Sequence, residues 1–160
     1  MSQLVVFAFK DQTGAEQMRD ALGRLQKLQL ITLSDAAVVI RKEDGKVKVK
    51  QAVSLVGAGA LGGAFWGMLF GLLFFIPFFG LALGAAMGAL VGHFSDYGID
   101  DKFIKEVQSE VTEGTSALFL LTSDATVDRV EDAFAGTHMA LIRSNLSKEQ
   151  EAKLMEDFAG

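Results

Sequence analysis

The side chains whose types and spacing come nearest to chemistry are two histidines, His93 and His138, and three carboxylates close to the first of them, Asp96, Asp100 and Asp101. The histidines stand far apart in the chain, and neither belongs to a metal-ligand or catalytic-triad spacing. Each reads more simply as a satisfied or interfacial ring. His93 has a second reading, because it ends a glycine series where a change of imidazole charge would act as a gate. The three aspartates would hold a cation or, more plainly, cap a helix: Asp100 reads as an N-cap, and an acidic first turn suits the helix dipole. Gly57-Ala-Gly59-Ala-Leu-Gly62 matches a dinucleotide-binding pattern by letters only, since it sits in an apolar stretch without the acidic partner that pattern needs. With no cysteine in the chain, disulfides, thiolate catalysis and cysteine-based zinc or iron–sulfur sites are excluded. No nucleophile stands with a base. The residues therefore imply no catalytic site, no cofactor, no metal and no enzyme.

Composition narrows the partners. A formal net charge of −5 and a pI near 5.0 argue against nucleic acid and fit an acidic, solvated surface. The N-terminal stretch has one lysine and a short apolar run, without the basic start or small-residue cleavage pattern of a signal peptide.

Charge is distributed unevenly. From Gln51 to Ser95 no Asp, Glu, Lys or Arg occurs, a run of 45 residues. About 20 apolar residues cross a bilayer as a helix, so this length predicts two short helices with a turn at Pro77. Inside the run, Gly59, Gly63, Gly67 and Gly71 repeat every four residues, and so do Gly80, Gly84, Gly88 and Gly92. The two series mirror one another about the turn, Gly71 with Gly80 and onward to Gly59 with Gly92, as an antiparallel register requires. Glycine costs about 1 kcal/mol against alanine inside a helix, so such stripes predict close backbone packing. Ala82, Ala85, Ala86 and Ala89 keep further faces of the second arm small, which implies a second copy as neighbour and hence a homo-oligomer. The first arm carries Phe65, Trp66, Met68, Leu69, Phe70, Leu72 and Leu73, and positions such as Leu69 and Leu83 are expected to face lipid. Arg41, Lys42, Lys46, Lys48 and Lys50 before the first arm, with Lys102 and Lys105 after the second, place both flanks in the cytoplasm by the positive-inside tendency.

The flanks read as an α+β domain cut in two. Leu4–Phe9 is a continuous apolar run suited to a central strand, and Thr13-Gly-Ala-Glu16 has the form of a capping box before a helix with Met18, Leu22, Leu25 and Leu28 in step. Strands at 36–41 and 46–51 follow, joined by an Asp44-Gly45 turn. After the charge-free run come a helix from Asp100 to about Val111, stapled by Ile99 and Ile104, and a buried-type strand at 117–121. A helix capped by Thr126, a strand at 139–142, and a polar helix behind the capping box Ser147–Gln150 complete the chain. The first six elements have the split βαβ order of a ferredoxin-like fold, interrupted by a transmembrane glycine-zipper hairpin. The expected divisions are 1–51, 52–95 for the hairpin, and 96–160.

Three stretches carry a resemblance: His93-Phe-Ser-Asp-Tyr-Gly-Ile-Asp-Asp-Lys-Phe-Ile-Lys105, Gly114-Thr-Ser-Ala-Leu-Phe-Leu-Leu121, and Leu146-Ser-Lys-Glu149. Together with the glycine stripes and central proline they resemble the bacterial membrane proteins catalogued as domain of unknown function twelve-sixty-nine. The resemblance implies a membrane protein of uncharacterised role, with stress associated in some members, and carries over no catalytic residue. Similar sequences often place proline where this one has Val127, which weakens a helix start. The combined expectation is a homo-oligomeric structural or scaffold protein embedded in the bacterial inner membrane, with membrane lipid as partner, no nucleic acid, and an envelope- or stress-related role; the residues identify no small-molecule ligand. An oligomeric channel or pore is the alternative.

Overall fold

A strand without polar alternation, such as Leu4–Phe9, needs cover on both faces. The computed structural model describes residues 2–51, 61, 63–74 and 92–158, and it places this run in β1 (Ser2–Phe9), an interior strand. Next come α1 (Gly14–Lys27), β2 (Leu33–Arg41), β3 (Val47–Gln51) and α2 (Gly63–Phe74), then α3 (Asp101–Glu110), β4 (Thr115–Ser123), α4 (Asp124–Ala133), β5 (Ala140–Leu146) and α5 (Lys148–Phe158). The strands form one sheet in the order β3-β2-β4-β1-β5, antiparallel at every pairing.

Because side chains alternate across a strand, the sheet serves two cores. Val5, Phe7, Val38, Ile40, Leu118 and Leu120 face α1 and α4, where Met18, Leu22, Val127 and Val130 meet them. On the other face Leu4, Val6, Val39, Phe119 and Leu121 meet α2, α3 and α5.

Local signals set several helix starts. Asp100 accepts a hydrogen bond from the Phe103 amide at 2.9 Å, and Ile99 and Ile104 are both buried beside it. The box at α5 closes reciprocally: the Ser147 amide donates to Gln150 Oε1 at 2.9 Å and the Gln150 amide to Ser147 Oγ at 3.1 Å. At α1 the expected Thr13 cap is replaced by Asp11, whose Oδ1 accepts from the Gly14 amide at 2.6 Å. Glu16 is free for Lys50, 2.9 Å away on β3, and this contact is the leading reason its carboxyl lies below the ordinary value of 4.5. At α4 the cap is Ser123, which accepts from the Thr126 amide at 3.3 Å.

The fold expected from the sequence is corrected in two respects. In the split order read above, the strand at 46–51 would lie between β1 and β2; instead β3 is an edge strand beside β2, and β4 takes the inner place. The physical reason is burial. Every residue of β4 up to Thr122 is buried, a pattern that needs two covered faces, whereas lysines alternating with valines suit a guarded edge.

The second correction concerns the transmembrane hairpin. Phe65, Trp66, Leu69, Phe70, Leu72 and Leu73 of α2 do not face lipid: all are buried in the core they share with the sheet, α3 and α5, Phe65 meeting the ring of Phe158 on α5. The Phe70 ring lies edge-on to Phe119 at 5.0 Å, and Trp66 meets the same β4 ring at 6.3 Å. At 12 residues α2 is about 18 Å long, short of the roughly 30 Å of a hydrocarbon core. Among the described residues no helix is long and apolar enough to cross a membrane. The membrane hairpin, and the inner-membrane location inferred from it, are overturned. For α2 the absence of charge marks burial, and its covering surface is the sheet.

Candidate functional site

On a helix, residues three and four apart share a face. Opposite the buried aromatic side of α2 lies such a stripe, Ala64, Gly67, Met68 and Gly71, with Ala64 and Gly67 exposed and Met68 and Gly71 half-buried. A Cβ built on Gly67 or Gly71 would meet nothing within 4 Å. This face is apolar; among the described residues Ala64 and Gly67 are open on it, while Met68 packs against the neighbouring core. Gly63 is the first residue of α2, and Gly92 is helical with 93–95, exposed and, among the described residues, likewise without a neighbour within 4 Å. Gly59, Gly80, Gly84, Gly88 and Pro77 lie outside the described residues, and so does the expected mirror register.

Both ends of α2 are held by side chains from elsewhere. Ahead of it, the Leu61 amide donates to Asp35 Oδ2 at 2.9 Å, and Oδ1 of the same fully buried carboxylate accepts from the Ala36 amide at 2.8 Å. Near Phe74, its last described residue, Gln108 of α3 donates from Nε2 to Leu73 O at 3.2 Å and Leu72 O at 3.5 Å. The Arg41 guanidinium stands over the Phe74 ring at 5.9 Å.

A second cluster joins the turn after residue 92 to α5. Tyr97 is fully buried; its hydroxyl donates to Asp157 Oδ2 and lies 2.9 Å from His93 Nε2. With that hydrogen engaged, the imidazole is the donor in the second contact. Burial, then the hydrogen bond and charge of Asp157, with the charge of Asp96 added, push the phenol above its ordinary value of 10. Tyr97 is thus a neutral donor rather than a base or nucleophile. Phe158 closes the cluster with its ring 5.7 Å from Tyr97, 6.4 Å from His93 and 5.5 Å from Phe65 of α2. Nearby, Gly98 has a φ of +88°, and a side chain there would strike Asn145 O at 2.6 Å.

The three aspartates do not converge. Asp100 caps α3, Asp101 pairs with Lys105 at 3.0 Å, and Asp96 approaches Lys153 at 3.9 Å. Among the described residues no group of three or more His, Asp or Glu could hold a metal ion. His138 is exposed in the irregular segment before β5, lining an open hollow of about 300 Å³ with Lys10, Glu110 and Thr137. Sequence reasoning missed Asp35, and it missed the Tyr97–Asp157 contact, whose partners are 60 residues apart; only the four-residue step from His93 to Tyr97 was visible.

Residues 60–159 match the family described as Protein of unknown function (DUF1269). The chain belongs to that family. The DUF1269 match takes in α2, the Tyr97 cluster and α5, and it leaves β1, α1, β2 and β3 outside. No curated protein and no solved structure shows significant similarity to the chain.

Proposed function

We propose that this DUF1269 chain is a self-associating structural module, a homo-oligomeric scaffold in which the Ala64–Gly67–Met68–Gly71 face of α2 packs against a second copy. The observation that carries the reading is that, among the described residues, Ala64 and Gly67 stay open on the outer face of an otherwise buried helix. Two glycines there weaken the helix by about 1 kcal/mol each relative to alanine, and among the described residues no neighbouring atom within 4 Å demands their small size. Close approach of a partner backbone supplies a physical reason for them. The stripe also lacks any polar side chain that would be left unpaired by burial.

Sedimentation of the full chain over a range of concentrations tests this. The parent should assemble reversibly, and Gly67→Leu and Gly71→Leu should keep the parent's circular dichroism while weakening assembly by about tenfold or more, because one leucine holds the backbones apart. A parent that stays monomeric throughout, or leucine variants that assemble like it, would overturn the proposal.

A further inference from the structure

The last helix is held in an unusual way. Of its 11 residues only Leu154 is fully buried, with Met155 and Phe158 partly covered against the same core. Its N-terminal cap is made within the element, by Ser147 and Gln150, and would be kept if the helix moved away. Among the described residues its far end is fastened to the main body by the hydrogen bond from the buried Tyr97 hydroxyl to Asp157, beside the ring of Phe158, with an exposed Lys153–Asp96 approach of 3.9 Å farther back. Beneath that end lie the rings of Phe65, Phe94 and Tyr97, all fully buried.

We propose that α5 is a detachable strap, latched by the Tyr97–Asp157 hydrogen bond over this aromatic groove, and that its release exposes Phe65 beside the outer face of α2. An element with few buried contacts opens locally at lower free energy than the sheet it covers. The latch opposes that opening: breaking it forfeits the bond from the Tyr97 hydroxyl to a charged acceptor and leaves His93 as its partner among the described residues, while Asp157 is already exposed and returns to water. Opening adds Phe65 to the apolar surface around Ala64 and Gly67. Its effect on assembly rests on the self-association reading, whereas the strap itself does not.

Hydrogen exchange on the full-length chain separates the two. In the parent, residues 148–158 should exchange through an opening that leaves β1 and β4 protected. Tyr97→Phe and Asp157→Ala should each raise exchange in α5 by about tenfold or more, the scale of one hydrogen bond to a charged group, with β1 and β4 unchanged. Asp157→Ala alters an exposed residue, so it keeps the test valid if Tyr97→Phe perturbs the core. Lys153→Met, which removes a half-exposed cation 5.6 Å from the Tyr97 ring, should change exchange much less. The strap is overturned if α5 exchanges only together with β1 and β4, or if both latch variants keep the parent rate. In the same samples Asp157→Ala should assemble more tightly than the parent. Faster exchange with unchanged assembly overturns the strap's control of association. A parent that never assembles removes the scaffold reading and leaves the exchange result standing on its own.

Discussion

Asp35 on β2 and Leu61 are joined by a hydrogen bond of 2.9 Å from the Leu61 amide to the carboxylate. The carboxylate is fully buried, so removing it strands at least two backbone donors, the amides of Leu61 and Ala36, in the core. An unsatisfied buried donor costs about 1–3 kcal/mol. Asp35→Ala should therefore lower the unfolding free energy by about 2 kcal/mol or more, seen as a lower urea midpoint with little change of slope. A midpoint equal to the parent's would mean that Asp35 does not pin the approach to α2.

The location of the aromatic side of α2 can be read from stability. Leu69 is fully buried and Phe70 nearly so, and large-to-small changes in a packed core cost about 2–5 kcal/mol. Leu69→Ala and Phe70→Ala should both destabilise the chain on that scale. The single tryptophan, Trp66, stacks on Phe70 at 5.6 Å and reports the change by its fluorescence. Values within about 0.5 kcal/mol of the parent, the size expected of ordinary surface positions, would contradict the packing on the sheet.

Tyr97 gives stability a defined alkaline limit. Its phenol is pushed above the ordinary value of 10 by burial and by Asp157, so the folded state holds the proton more firmly than the unfolded state. The sign follows by linkage: the stabilisation is fully present below pH 10 and is lost as pH rises from there through the folded-state value. Urea midpoints should fall above pH 10, and Tyr97→Phe should remove that part of the fall. As Tyr97 is the single tyrosine, phenolate absorbance follows this group alone. A free-phenol titration in the folded chain would refute the buried hydrogen bond.

Legibility followed the range of the forces. Short-range features were readable: Asp100 caps α3 and Ser147 with Gln150 closes a box because both depend on residues within one turn. The apolar runs of β1 and β4 announced interior strands because neither face meets water. Thr13 makes no side-chain cap because its own amide and that of Gly14 go to Asp11, while Ser116 Oγ on β4 accepts from the Ala15 amide that Thr13 would have served, a long-range competitor that letter patterns do not show. The largest error had one cause. Apolar α2 carries the same composition whether its aromatic face meets lipid or Phe119, and only the sheet's order, set by long-range pairing, decides between them. Of the eight stripe glycines, Gly67, Gly71 and Gly92 are placed with their open surroundings visible, and Gly63 is placed at the start of α2. The latch from Tyr97 to Asp157 left no periodic trace, since neither residue type nor spacing is diagnostic across 60 residues.

The glycines of α2 separate folding from association by opposite signs. Gly67 lies in a helix, and a Cβ added there meets nothing within 4 Å. Alanine at this position should stabilise the isolated fold by about 1 kcal/mol, through helix propensity and a less flexible unfolded chain. If a second copy packs its backbone against Gly67, the same methyl group intrudes into the contact and assembly weakens. Gly67→Ala should thus raise the urea midpoint measured at concentrations where the chain is monomeric, and lower the assembled fraction at high concentration. A gain in both quantities would show that Gly67 is not at a close contact, and the α2 face would lose its claim to be the packing surface. Unchanged stability with unchanged assembly would contradict the open helical environment itself.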